Sequence, residues 1–483
     1  MQHTDLLIGG CSRAATNGRT MQRCNPASGA PVTRAAAASM ADAQTAAEAA
    51  QSAFDAWSAV GPGERRARLL KAAAIMEDRS DDFSRLMIAE TGATAGWAGF
   101  NVQVAAGMLR EAAALTTQVT GQVIPSDVPD NLAMALREPR GVVLGIAPWN
   151  APVILGTRAV ATALACGNTV ILKASEQSPA VHHLIGEVLM EAGLDSGEIN
   201  VITNAADDGP VVVSTLIEHP AVRHVNFTGS TDVGRQIAEI AARQLKPALL
   251  ELGGKAPFVV LDDADLDAAV EAAAFGAFFH QGQICMATER LIVDASVAEP
   301  FIDQLTRKVA TLKAGDPATE DTPLGTLIGE SARLHLNDLI ADAEARGATV
   351  VCGGPADSVI MQPTVVDHVT PGMRLYDEES FGPIVAMIRV SDEADAIRVA
   401  NDTDYGLAGS VFSGDGARGM RVARRIRSGI CHVNGPTVHD EPQMPFGGVK
   451  ASGYGRFGGQ AGIAEFTELR WVTLQTGPRH YPI

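Results

Sequence analysis

The sequence predicts a doubly wound α/β protein built in more than one unit, and three observations carry that expectation. From residue 141 onward, short runs rich in β-branched residues alternate with helical stretches, the order that builds a parallel sheet covered by helices. A second set of the same kind follows Glu251. The chain also has 483 residues, more than one hydrophobic core organises.

The elements follow in order. Residues 40–58 are Ala-rich at helical spacing, with Ser39 and Asp42 in a capping-box pattern. A second helix is expected over 63–90, with Leu69, Leu70, Ala73 and Ile75 on or near its buried side. The segment 119–139 is rich in Pro, Asp and Thr/Val and reads as a protruding hairpin. Buried strands are expected at 141–146, 169–173, 199–202 and 224–227, with helices at 153–165, 179–192, 208–217 and 232–244. The second set has strands near 257–261, 290–294, 349–352, 384–390 and 409–413, and helices near 265–278, 296–314 and 331–346. A last strand is read in 467–478. Like the hairpin, it lies outside the main cores, which points to edge pairing between subunits.

Composition narrows the function. Hydrophobic residues make up 46% and charged residues 19%, a globular rather than disordered balance. The net charge of −18, from 38 basic and 56 acidic residues, opposes binding to nucleic acid or to an anionic membrane surface. The longest uncharged run, Gly141 to Thr157, contains Pro148, Asn150 and Pro152. It reads as a strand, a loop and a helix start rather than a membrane span. The six cysteines lie far apart without a CxxC pair, so neither a metal site nor a disulfide framework is expected, and a reducing cytoplasm fits best. The N-terminus lacks a basic region followed by an apolar one, so no secretory signal is read.

Two segments carry reactive groups. Phe279-His280-Gln281-Gly282-Gln283-Ile284-Cys285 sets a thiol in apolar and aromatic surroundings, and Leu250-Glu251-Leu252-Gly253-Gly254-Lys255 sets a carboxylate beside two glycines. A nucleophile and a base on different loops are the minimum equipment for covalent catalysis through a thioester. Burial would raise the pKa of Glu251 toward that of a general base. A third segment, Asn226-Phe227-Thr228-Gly229-Ser230-Thr231-Asp232-Val233-Gly234, runs from a strand through a Gly-Ser turn into a helix, whose N-terminus favours a pyrophosphate.

These segments, at this order and spacing, resemble the signatures of the NAD(P)-dependent aldehyde dehydrogenase superfamily. Ala147-Pro148-Trp149-Asn150, Lys173-Ala174-Ser175-Glu176, Glu379-Ser380-Phe381-Gly382-Pro383, Pro445-Phe446-Gly447-Gly448 and Ser452-Gly453-Tyr454-Gly455-Arg456 extend the resemblance over nearly the whole chain. It implies a Rossmann-like NAD-binding domain (1–118 and 140–251, with 449–466 returning to it) and an α/β catalytic domain (252–448). It also implies a small β oligomerisation element (119–139 and 467–483) that joins a homodimer or a dimer of dimers. Cys285 would then be the nucleophile and Glu251 the base that activates hydrolytic water, which argues against a coenzyme-A-acylating enzyme. Asn150, with the Cys285 amide, would be the oxyanion donor. Ile146, Pro148, Trp149, Lys173, Ser175, Glu176, Gly229, Ser230, Gly234, Leu252, Glu379 and Phe381 would hold the cofactor. A carboxylate at Glu176 favours NAD over NADP.

Ala159 and Phe457 depart from the pattern, because many relatives carry a Lys and a Glu there to relay protons behind the base. By the same resemblance Trp97, Ile154, Leu155, Arg158, Phe279, Met286 and Phe446 would wall the aldehyde tunnel. Arg158 reads either as a contact for a substrate hydroxyl or carboxylate or as a salt bridge beside the tunnel. His439 and Asp440 are not read as catalytic partners of Cys285. The segments Gly435–Met444 and Gly477–Ile483 are similar to the salicylaldehyde dehydrogenase group. The expected reaction is therefore salicylaldehyde to salicylate, with vanillin, benzaldehyde or an aliphatic semialdehyde as alternatives.

Overall fold

The computed structural model describes all residues from Met1 to Ile483. Its first large sheet has eight strands, in the order Gly453–Tyr454, Ala248–Glu251, Val222–Thr228, Val142–Ile146, Thr169–Lys173, Ile199–Ile202, Leu6–Ile8 and Cys11–Arg13. The five central strands run parallel, and antiparallel strands close both edges. From Val142–Ile146 the chain adds strands first on one side and then on the other. The strand order therefore reverses between Val142–Ile146 and Val222–Thr228, and the carboxyl ends flanking such a reversal form a ligand crevice. The central strands are buried on both faces, which explains their unbroken Val/Ile/Leu runs.

The second sheet has seven strands, from Thr349–Cys352 at one edge to His432–Val433 at the other, and is parallel except at Thr349–Cys352. A third, antiparallel sheet joins Thr467–Gln475, Asn131–Pro139 and Gln122–Ile124, so the expected hairpin and last strand are neighbours in one sheet.

Several elements differ from the sequence expectation. The helix expected over 63–90 is two, Pro62–Asp78 and Ser80–Thr91, parted at Arg79, whose ψ of 18° leaves the helical range. The helix expected over 296–314 stops at Val309. Ala95–Leu115, a helix of 21 residues, was not foreseen. Its sequence is almost wholly small or apolar and it is buried on most sides, so no polar stripe marks its period. The short N-terminal strands also went unread. The capping box at Ser39 and Asp42 forms as expected.

Candidate active site

Each candidate cofactor residue on the first sheet lies in its strand or just past its carboxyl end. Ile146, Pro148 and Trp149 follow one central strand, Lys173, Ser175 and Glu176 the next, Gly229 and Ser230 a third, and Leu252 a fourth. Asn150 and Glu251 occupy the same rim, so the crevice brings candidate cofactor and catalytic groups together.

Cys285 reaches this rim from the second sheet. Its loop begins with His280 (φ 50°), Gln281 (φ 52°) and Gly282 (φ 67°), three consecutive left-handed residues, two of which carry side chains. Such strain persists only where the surroundings enforce it. Here the Gln281 Nε2 donates to the Thr326 carbonyl at 2.9 Å, and the Ile328 N–H donates to Gln283 Oε1 at 2.9 Å. A Cβ at Gly254 would stand 2.5 Å from the Cys285 carbonyl oxygen, so only glycine lets the base-bearing and thiol-bearing segments approach this closely.

Glu251 is buried, its carboxylate facing the Cys285 thiol and the Thr228 hydroxyl, and burial lifts its pKa to about 7. The positive charge of Arg158 opposes that rise and Asp440 adds to it. Burial also pushes the Cys285 thiol well above its ordinary range, with the Glu251 charge adding to the shift and Arg158 countering it. The Asn150 side chain donates to the Gln283 carbonyl at 3.0 Å, which leaves its second amide hydrogen free.

Cys285, Asn150 and Arg158 line a cavity of about 320 Å³, and Glu251 lies against Cys285 outside that lining. Trp97, Phe100, Phe275 and Phe446 supply aromatic wall, and Ile154, Leu155, Met286 and Val438 supply aliphatic wall, with Cys285, Asn150, Arg158 and Asp440 as polar points. Phe279, expected in this wall, lies behind it. Its ring meets Trp97 edge-on at 5.0 Å and stacks on Phe275 at 4.8 Å, so Phe275 presents the surface instead. Arg158 forms a buried ion pair with Asp440, and its guanidinium lies over the Phe446 ring at 4.2 Å. The salt-bridge reading therefore holds, although the side chain still lines the cavity. Ala159 and Phe457 are both buried and apolar, so no lysine–glutamate relay stands behind Glu251 at those positions. His439 is half exposed and bonds Glu441 at 2.8 Å.

On the other side of the rim lies an open polar cleft of about 690 Å³, which includes Ser230, Thr231, Glu379 and Tyr405. The helix Thr231–Arg243 begins there without a side-chain cap, so its first N–H groups are unclaimed donors. A Cβ at Gly253 would come within 2.5 Å of Glu379 Oε2, and a side chain there would displace that carboxylate. Glu379 accepts from the Gly254 N–H at 2.7 Å, and burial raises it to about 8. The Phe381 ring meets Trp149 edge-on at 5.8 Å. Lys173 pairs with Glu176, which also accepts from Asn204 at 2.7 Å. An uncapped helix start, glycine-lined approaches and a carboxylate–lysine pair at the strand ends fit a dinucleotide with its ribose hydroxyls.

Sequence reasoning missed the residues that anchor these loops. Glu289 is the main one: it accepts the backbone N–H groups of Ser380 and Phe381, each at 3.0 Å, and pairs with buried Lys255 at 2.7 Å. His182 is another, accepting the Ser175 N–H at 3.0 Å. An isolated Glu or His in sequence gives no sign of such a role.

A thiol in an aromatic-walled cavity, a buried carboxylate against that thiol and a polar crevice at the strand ends are the parts a cysteine-dependent dehydrogenase needs. Residues 13–472 match the aldehyde dehydrogenase family, and the chain belongs to that family. It is 62% identical to vanillin dehydrogenase of Pseudomonas fluorescens over 100% of both chains. It is 48% identical to salicylaldehyde dehydrogenase of Pseudomonas putida over 99% of both. The crystal structure of the salicylaldehyde dehydrogenase of Pseudomonas putida G7, complexed with salicylaldehyde, superposes with a TM-score of 0.99 over 100% of each chain at 48% identity. The family resemblance read from the sequence is thereby borne out. Of the two named activities, the one expected from the sequence belongs to the less similar relative.

Proposed function

We propose that this aldehyde dehydrogenase oxidises an aromatic aldehyde to its carboxylic acid with NAD, through an acyl-enzyme on Cys285. The observation that carries the reading is the aromatic-walled cavity that ends on Cys285 beside Glu251 and Asn150. Cys285 passes its thiol proton to the Glu251 carboxylate beside it and attacks the aldehyde carbon to give a thiohemiacetal; Glu251 then releases that proton to solvent before hydrolysis. The free amide hydrogen of Asn150 and the Cys285 backbone N–H hold the developing oxyanion; one such donor typically contributes about 3–4 kcal/mol. NAD, when bound, would supply the hydride acceptor needed to oxidise this adduct to a thioester. Glu251, poised near neutrality by burial, then takes a proton from water, and the water oxygen displaces the thiol. The Arg158 charge favours the ionised forms of both Glu251 and Cys285, and Asp440 opposes it at Glu251.

Vanillin leads the substrate list on the strength of the 62% relative, and salicylaldehyde follows on the likeness to the complexed structure. NAD is favoured because a 2′-phosphate would meet the Glu176 carboxylate. We divide the chain into a cofactor domain around the eight-stranded sheet, a catalytic domain around the seven-stranded sheet and an oligomerisation element on the sheet of Gln122–Ile124, Asn131–Pro139 and Thr467–Gln475. Trp471, 80% exposed on Thr467–Gln475, offers a surface for a second copy, and a cytoplasmic setting suits the free thiols.

The test is NADH production from vanillin, salicylaldehyde, benzaldehyde and hexanal, with NAD and NADP in parallel. Vanillin or salicylaldehyde should give the highest kcat/KM. A clear win for hexanal would refute the aromatic assignment.

A further inference from the structure

The unforeseen helix Ala95–Leu115 touches the catalytic apparatus through one face. Trp97 and Asn101, four residues apart, project from the same side. The Trp97 indole N–H donates to the backbone carbonyl of Asn150 at 2.9 Å. Asn101 donates to the Trp97 carbonyl at 3.1 Å and accepts the Ile154 N–H at 3.5 Å. That second contact matters because the helix Pro152–Ala165 starts at Ala151 with no side-chain cap of its own, so an orphan N–H is met from a neighbouring helix. Trp97 also stacks on His280 of the strained cysteine loop, with centroids 4.7 Å apart and planes 12° apart. Both side chains are buried.

Asn150 is thus held from two sides. Its amide is tied to the Gln283 carbonyl beside Cys285, and its backbone is tied to Trp97. An oxyanion donor acts only if it is fixed before charge develops, within about 0.5 Å of its working place. We propose that Trp97 and Asn101 are positioning residues that fix Asn150 for oxyanion stabilisation, and that Trp97 does more than wall the tunnel. The proposal rests on the reading of Asn150 as the oxyanion donor.

The test is a double-mutant cycle. Trp97→Phe keeps an aromatic ring and removes the N–H, and Asn101→Ala removes the bonds to the Trp97 carbonyl and the Ile154 N–H. Each is combined with Asn150→Ala and assayed with benzaldehyde and with hexanal. Positioning predicts that each single variant lowers kcat about tenfold for both aldehydes, and lowers it less than about twofold once Asn150 is absent. Equal losses in the two backgrounds would overturn the proposal. So would a Trp97→Phe effect confined to KM for benzaldehyde, which is the signature of a wall. If Asn150→Ala itself leaves kcat unchanged, the oxyanion reading falls and takes this inference with it, an outcome distinct from the other two.

Discussion

The two sides of the rim solve different problems with different materials. The aldehyde cavity is small and apolar, and its chemistry rests on a few side chains whose burial changes how they titrate. The cofactor cleft is open and polar, and its fit rests on backbone: an uncapped helix start, glycines without room for a Cβ, and carboxylates pinned to N–H groups. A base near neutrality requires dehydration, whereas a long anionic ligand can be gripped by fixed dipoles at a wet surface. Substitutions on the cavity side should therefore act on rate, and those on the cleft side on cofactor affinity and choice.

The largest expected break comes from Cys285→Ala, which removes the atom that becomes acylated. NADH formation should fall at least about 10⁴-fold with every aldehyde. Mass spectrometry of enzyme quenched in turnover should find the acyl group on Cys285 in the wild type alone. Asn150→Ala comes next, at about 10²- to 10³-fold in kcat with a smaller change in KM, because the oxyanion forms only on the way to product. Glu251→Gln should slow hydrolysis more than hydride transfer, leaving a burst of NADH followed by a stalled steady state. In the wild type the hydrolysis step, followed as release of the acyl group from Cys285, should speed up as pH rises through about 7, since the base must be deprotonated and burial sets its pKa there. A flat profile between pH 6 and 8 would contradict the assignment.

The same contrast explains what the sequence disclosed. The elements on the cleft side were largely legible, because turns that need glycine and strands that need β-branched residues leave local marks: Gly229 lies in the turn after Val222–Thr228, Gly234 in the first turn of Thr231–Arg243 and the 173–176 segment at the end of Thr169–Lys173. Cys285, Glu251 and Asn150 were legible through their flanking motifs. The cavity wall was only partly so. Phe275 lies in a helix of ordinary apolar composition, and only the fold decides that it faces the cavity while Phe279 packs behind it. Asp440 gave no local signal of pairing with Arg158, 282 positions away. Nor could the role of the helix Ala95–Leu115 be read, since Trp97 and Asn101 act on a loop more than fifty residues distant.

On the cleft side the expected effects are smaller. Glu176→Gln removes the charge that would repel a 2′-phosphate while keeping a hydrogen-bonding side chain. The ratio of kcat/KM for NAD to that for NADP should fall about tenfold, mostly through KM. A ratio that stays put would move cofactor choice to another residue. A fall that appears in kcat instead would blur the division between the two sides.

The smallest effect, and the one that tests why the cavity is built as it is, concerns stability. Glu251 titrates at about 7 in the folded chain against 4.5 when unfolded. The folded state therefore holds its proton more tightly, and the stability linked to that proton is fully present below about pH 4.5. It is lost as pH rises through about 7, amounting to about 3 kcal/mol at alkaline pH. Glu251→Gln does not titrate, so its unfolding midpoint should exceed that of the wild type at pH 8, and the gap should shrink at pH 5. Glu90, also shifted upward by burial, is common to both proteins and cancels in the difference, whereas Glu379 and Cys285 lose the part of their upward shift that the Glu251 charge supplies. The comparison is read from thermal unfolding of the two proteins without cofactor at both pH values. A gap that is the same at both would mean that the folded chain does not hold Glu251 in a dehydrated state, and the pKa that suits it to hydrolysis would need another origin. A gap that opens with pH would show that the enzyme carries a standing destabilisation at its working pH, located at the base its chemistry needs.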